Sequence, residues 1–250
     1  MTELQVQTPS EGVRLLVMSR GAKRNALSFG LIGALREQLR IAEAEGVRTL
    51  VITGQGPAFS AGADFSELKG DQSDLAFDDA MSELTAALTR SAVISFAAIR
   101  GACIGAALDL ALACDFRVAS PDAFFALPAV RMGILYNPRR LLEIQPMMSA
   151  AILRRLLILA ETLDCGEAAG SGIVTHVVEQ GEADAALDAA LAHAARAASL
   201  PPRAQHAAKA FIAAARQADY KEADWQALRL ELLVSDERKA ALRRARTSEK

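Results

Sequence analysis

Two short apolar runs, each leading into a glycine-flanked turn of small residues, constrain this chain more than any other feature. Residues 49–53 (TLVIT) pass through a Gly/Pro loop at 54–57 into 59–64 (FSAGAD), and residues 93–99 (VISFAAI) lead into 101–115 (GACIGAALDLALACD). Runs this short, aliphatic and bounded by turn residues, read as buried strands. The small residues after each run let another group approach the backbone. Such strand ends are where open α/β sheets place their chemistry, and two amides aimed at one point hold a developing oxyanion.

The rest of the chain alternates in the same manner. Residues 13–18 read as a strand, and a helix capped by Ser28 is expected over 28–45, with Leu31, Leu35, Leu39 and Ala42 on one face. After a strand at 50–53 comes a polar acidic segment at 67–79, expected to be mobile around 71–74, then a helix over 79–89. Strands follow at 116–119 and 123–127, and Asn137-Pro138 starts a helix, which leaves Tyr136 on the preceding turn. A helix over 149–160 and a short helix, Gly turn and strand over 166–178 complete an α/β pattern. From Asp184 onward the pattern is helical only: Pro201-Pro202 separates two helices, and Trp225, Leu228 and Leu232 share one face. The expected division is a core over 1–199 and a helical region over 200–250. Alanine-rich helices bury little alone, so these are expected to cover the core or a neighbouring subunit.

Composition removes several classes. The 250 residues are 52% hydrophobic with a formal charge of -2, so no nucleic-acid partner is expected, and the basic run at 239–246 reads as a solvated helix end. Cys103, Cys114 and Cys165 are odd in number and form no CxxC, which argues against a disulfide framework and against any metal site and fits a reducing cytoplasm. The N-terminus lacks the basic start and apolar run of a signal peptide. Residues 92–114 are long enough for a membrane span, but Arg100 and Asp109 interrupt them and Gly101 and Gly105 break them into strand plus helix, so no membrane partner is expected. Gly54 and Gly56 open no complete GxGxxG, Ser60 lies in no GxSxG elbow, and His176, His193 and His206 all come late, which speaks against a nicotinamide dehydrogenase and a serine hydrolase.

If Gly105 opens a helix, Ala106 carries an unpaired amide in its first turn, where the helix dipole adds positive charge. Asp109 lies three residues on, over the same face, and is the only charged residue between Gly101 and Cys114. Its carboxylate either faces a site or satisfies the helix's own N-terminus. The turn at 61–64 reads alone as a strand-to-helix connection capped by Asp64; paired with the second turn, it points to a ligand approaching both backbones.

Residues 23–27 (KRNAL), 59–64, 101–115, 125–133 and 172–178, in this order and spacing, resemble the crotonase superfamily, the enoyl-CoA hydratase/isomerase family, from about residue 13 to 178. The resemblance implies an α/β spiral of repeated ββα units with a C-terminal helical trimerisation region, assembled as a homotrimer or dimer of trimers. It implies an acyl-CoA thioester substrate, coenzyme A being part of that substrate with no tightly bound cofactor, and a thioester enolate whose oxygen is held by the amides of Ala63 and Ala106. Arg24, Ala26, Ala61, Asp64 and Phe65 would line the coenzyme A channel. Typical hydratases of the family carry two glutamates, where this chain has Asp109 and, after Pro128, Ala129. Hydration needs both an activated water and a delivered proton, so efficient hydration is not expected. The segment 132–137 (MGILYN) resembles that of methylmalonyl-CoA decarboxylase and matches Tyr136 to its active-site tyrosine. Arg131, Arg139, Arg140 and Glu143 flank the turn and read as solvated charges. The expected roles are Asp109 as acid or base and Tyr136 as its polar partner. Hydratase, isomerase, decarboxylase and non-catalytic acyl-CoA-binding outcomes all remain open.

Overall fold

The computed structural model describes residues 3–179, 184–215, 221–233, 235, 236 and 240. Two compact units divide the chain, Met1–Ala195 and Arg196–Lys250.

In chain order the first unit contains β1 (Leu4–Ser10), β2 (Val13–Met18), α1 (Phe29–Ala44), β3 (Thr49–Gly54), α2 (Leu75–Arg90), β4 (Ile94–Ile99), β5 (Ala102–Ile104) and α3 (Ala106–Ala113). There follow β6 (Phe116–Ala119), β7 (Phe124–Ala126), α4 (Pro138–Ile144), α5 (Ala150–Leu157), β8 (Thr162–Asp164), α6 (Cys165–Gly170) and β9 (His176–Val177), while α7 (Ala185–Ala198) runs past the division. The larger sheet has the order β1-β2-β3-β4-β6-β9, parallel except for the β1–β2 hairpin. The smaller has the order β5-β7-β8, and the bridges Ser60–Cys103 and Leu27–Ala63 extend it beyond β5. Each spiral turn is therefore a strand in the large sheet, a short extended segment in the small one, and a helix: β4, β5 and α3 form one such turn, and β3, residues 60–63 and α2 another.

Local chemistry sets the boundaries. Ser28 accepts the Leu31 amide at 3.0 Å and starts α1, whose buried face is Leu31, Ile32, Leu35, Leu39 and Ala42. α3 differs in kind, because every residue from Ala107 to Ala113 is buried. A helix apolar all round belongs in the middle of a fold, so Asp109 within it must find partners.

Two features differ from the sequence expectations. β1 was not anticipated; it is a mostly exposed edge strand, held by backbone pairing to β2, with only Leu4 packed against the core. α2 begins at Leu75 rather than at 79, and Gln72–Asp74 just before it forms a 3-10 turn: Asp71 accepts the Ser73 amide, and Asp74 accepts those of Lys69 and Gly70, each at 2.8 Å. The run at 92–114 is broken into strand and helix as expected, divided among β4, β5 and α3, and among the described residues no helix is long and apolar enough to cross a membrane.

The second unit holds α8 (Pro202–Ala214), starting at the predicted proline break, and α9 (Glu222–Leu233), joined by an Arg203–Glu231 ion pair. The division falls inside α7, a few residues before the expected boundary at 199. Leu228 is partly buried, whereas the side chains of Trp225 and Leu232 and the basic run other than Ala240 lie outside the described residues.

Candidate active site

The turn after β3 is fixed by the segment that follows β2. Asn25, fully buried, donates from Nδ2 to the carbonyls of Gln55 (3.0 Å) and Ala58 (2.9 Å), and its Oδ1 accepts the Arg20 amide at 3.0 Å. Arg24 has a left-handed backbone, φ 49°, and its carbonyl accepts the Ala61 amide at 3.0 Å. The Leu27 amide donates to Gly62 O at 2.7 Å and Leu27 O accepts the Asp64 amide at 2.9 Å, so Ala63 turns its own N–H away from Leu27. Asp64 is buried and accepts from Lys23 Nζ at 2.8 Å, the Ser66 amide at 3.1 Å and Arg20 Nη2 at 2.7 Å. The hydrogen bonds from Lys23 and Ser66, against the cost of burial, hold its carboxyl well below the usual carboxylate range. Its side chain pins the turn to the 20–27 segment. Ala26 is buried beneath this network, and Phe65 just beyond is 61% exposed.

The second turn lies directly against the first. Gly62 has φ 96°, and a Cβ added there would stand 2.6 Å from Ile104 O and 3.7 Å from Ala106 N. Only glycine meets both the conformation and the closeness. Gly105, at φ 58° and ψ −122°, donates to Ala126 O at 2.8 Å and accepts the Asp109 amide at 3.1 Å, which makes Ala106 the first residue of α3. Among the described residues neither the Ala63 nor the Ala106 amide has a hydrogen-bond partner, and both alanines are half-buried rather than sealed. Two adjoining turns thus each present an unpaired donor.

Below Ala106, Asp109 is 6% exposed and anchors a buried polar cluster. Its Oδ1 accepts the Tyr136 hydroxyl at 2.9 Å and Arg140 Nε at 2.8 Å, while Arg140 Nη2 also reaches the Asp109 carbonyl at 3.4 Å. Oδ2 accepts no hydrogen bond among the described residues and remains open to solvent. Arg140 pairs in addition with Glu143. Burial lowers the Arg140 guanidinium, but the Asp109 and Glu143 charges more than offset it and leave it above its ordinary value. Burial, reinforced by the Asp109 charge, pushes the Tyr136 phenol far up, so it is a neutral donor at any working pH. Ala129, where a second acid would stand, begins the 3-10 turn Ala129–Met132 and brings no carboxylate.

A model of the enoyl-CoA hydratase/isomerase family matches residues 8–248. The Mycobacterium bovis protein named "Probable enoyl-CoA hydratase echA6" is 35% identical over 178 residues, covering 71% of this chain and 72% of that protein. The Escherichia coli 2,3-dehydroadipyl-CoA hydratase is 31% identical, covering 84% of this chain and 81% of the relative. The chain belongs to the enoyl-CoA hydratase/isomerase family. A solved enoyl-CoA hydratase/carnithine racemase from Magnetospirillum magneticum superposes with a TM-score of 0.90 at 25% identity, covering 99% of this chain and 94% of that one. The fold is the crotonase fold, and the chain is an acyl-CoA-processing enzyme of this family.

Within this family member, the structure brings Asp109 and Tyr136 together and sets the Ala63 turn against Ala106. It corrects the expectation for Arg140, which is not a solvated charge: only 3% exposed, it is the counter-ion of Asp109. Arg139 does remain largely exposed, Glu143 is partly so, and Arg131 donates to Ala160 O. The missed signal was Asp109 itself. A carboxylate on an all-apolar helix requires a buried cation, and Asn137 capping α4 through the amides of Arg139 and Arg140 turns the third residue of that helix inward.

Proposed function

We propose that this enzyme takes the carbonyl oxygen of an acyl-CoA thioester between the amides of Ala63 and Ala106, and that Asp109 moves a proton at the carbon beside it. Preorganised N–H donors stabilise the enolate oxygen more than the ground-state carbonyl, which is what accelerates a reaction. The observation that carries the reading is the state of Asp109. Oδ1 is fixed by Tyr136 and Arg140, and Oδ2 is unengaged, on the same helix whose first amide belongs to Ala106.

A single carboxylate suits transfer of one proton between carbons. With a 3-enoyl thioester, Asp109 Oδ2 takes the α-proton, the electron pair moves into the thioester as a dienolate, and the Asp109 carboxyl, its proton exchanging with solvent, protonates the γ-carbon, giving the 2-enoyl thioester. Addition of water calls for a second acid-base group, which Ala129 cannot supply, so double-bond isomerisation is favoured over efficient hydration. Arg24, Ala26, Ala61, Asp64 and Phe65 line the coenzyme A side in this reading, with Asp64 acting through its hold on Arg20 and Lys23. No tightly bound cofactor is needed. A homotrimer, or a dimer of trimers, would cover apolar side chains such as Leu142 and Ile212, which are 72% and 61% exposed.

The test is proton exchange. Incubated in D2O with 3-hexenoyl-CoA, the protein is expected to give 2-hexenoyl-CoA carrying deuterium, read by mass spectrometry. Thioester binding with neither conversion nor α-exchange for 2-enoyl-, 3-enoyl- and methylmalonyl-CoA would make the protein a binder rather than a catalyst.

A further inference from the structure

The charges around Asp109 do not balance, and the imbalance bears on the acyl group. Arg140 is the one buried guanidinium at the cluster, and all of its reach is engaged, by Asp109 Oδ1, the Asp109 carbonyl and Glu143. Neither neighbouring cation is buried at the cluster: Arg131 is exposed and gives one donor to Ala160 O, and Arg139, 70% exposed in its side chain, leans toward Glu143 at 3.9 Å. A further carboxylate, itself solvent-exposed, stands near the cluster on α2. Asp78 lies one helical turn before Ser82, whose hydroxyl accepts Asn137 Nδ2 at 3.3 Å, next to Tyr136. Burial, then the charges of Asp109 and Asp79, raise the Asp78 carboxyl, as expected for an acid on a negatively charged wall. The run leading into Tyr136 is apolar, with Met132, Ile134 and Leu135 exposed.

Resting on the acyl-CoA reading above, we infer that the site selects thioesters whose acyl group is uncharged and rejects those carrying a second, terminal carboxylate. Such a carboxylate would give up its hydration and meet Asp109, Glu143 and Asp78 with no uncommitted buried cation to receive it. A like charge held about 7 Å away at an effective dielectric of about 20 weakens binding by on the order of 50-fold. An aliphatic chain meets no such penalty and gains from the apolar run.

The test pairs hexanoyl-CoA with adipoyl-CoA, which share six acyl carbons and differ in the terminal carboxylate, in calorimetric titrations of the full chain. Hexanoyl-CoA is expected to bind at least about 10-fold more tightly, and Asp78→Asn and Glu143→Gln are each expected to narrow the ratio several-fold. Equal affinities, tighter binding of adipoyl-CoA, or a ratio that neither variant changes would overturn the inference while leaving the acyl-CoA reading in place. Failure of both thioesters to bind would remove that reading and the inference together.

Discussion

The amide of Ala106 can be removed without touching any side chain. L-Lactate is the ester isostere of alanine, so introducing it at position 106 by nonsense suppression replaces one N–H with an ester oxygen and leaves every side chain as it was. That N–H has no partner among the described residues, so the fold loses no hydrogen bond of its own there. The ester does weaken the carbonyl of Gly105, which accepts the Asp109 amide at 3.1 Å, a cost of about 0.5–1.5 kcal/mol in stability. If Ala106 donates to the enolate oxygen, kcat falls about 100- to 1000-fold, equivalent to about 2.7–4 kcal/mol of transition-state stabilisation. The assay is isomerisation of 3-hexenoyl-CoA followed by absorbance of the conjugated product, with a thermal melt to confirm folding. The same ester at Ala107 is the control, since it weakens a helix bond of similar rank and leaves the Ala106 N–H intact. A kcat within about 10-fold of wild type at position 106, or an equal loss at 107, would refute the donor role.

Asp109→Asn is expected to lower kcat by about 100- to 10,000-fold with a much smaller change in KM, since the amide still fills the space but cannot take the proton; a comparable loss in KM would assign Asp109 to binding. Arg140→Ala leaves the Asp109 charge uncompensated in the interior and is expected to cost about 3–5 kcal/mol in chemical denaturation, whereas a loss under about 1 kcal/mol would mean the pair is not buried in solution. Gly62→Ala forces a Cβ against Ile104 O at 2.6 Å in a backbone at φ 96°, so activity should drop together with melting temperature, and a fully active variant would show that the two turns do not touch. Asp64 is held below its ordinary value when folded, so its contribution is complete above about pH 4 and disappears as pH falls through the lower folded-state value. The stability gap between wild type and Asp64→Asn should therefore be constant near neutrality and close only in acid; a gap that widens in acid would contradict the sign.

The parts of the fold written in local chemistry were legible. Val13–Met18 and Phe116–Ala119 matched their apolar runs, Ser28 and Ser149 cap α1 and α5, and Asn137-Pro138 starts α4. β1 was not legible, because an edge strand defined by pairing with β2 shows only Leu4 and Val6 in alternation, too short a hydrophobic period to mark it. Of the smaller sheet only β7, within the expected strand at 123–127, was legible: Leu27, Ser60 and Ala63 join it by isolated bridges, too short for any periodicity. At the site, glycine and small-residue turns marked Ala63 and Ala106, since close backbone approach leaves a trace in composition. Arg140 left none, because whether an arginine near a helix start faces water or a buried carboxylate is decided by an element elsewhere in the chain.

The most direct measurement of the central claim is a crystal structure with butyryl-CoA bound. The thioester oxygen is predicted to lie about 2.7–3.1 Å from both the Ala63 and the Ala106 nitrogens, with the α-carbon facing Asp109 Oδ2. A thioester oxygen bonded to neither amide, or to only one with the α-carbon turned away from Asp109, would contradict it.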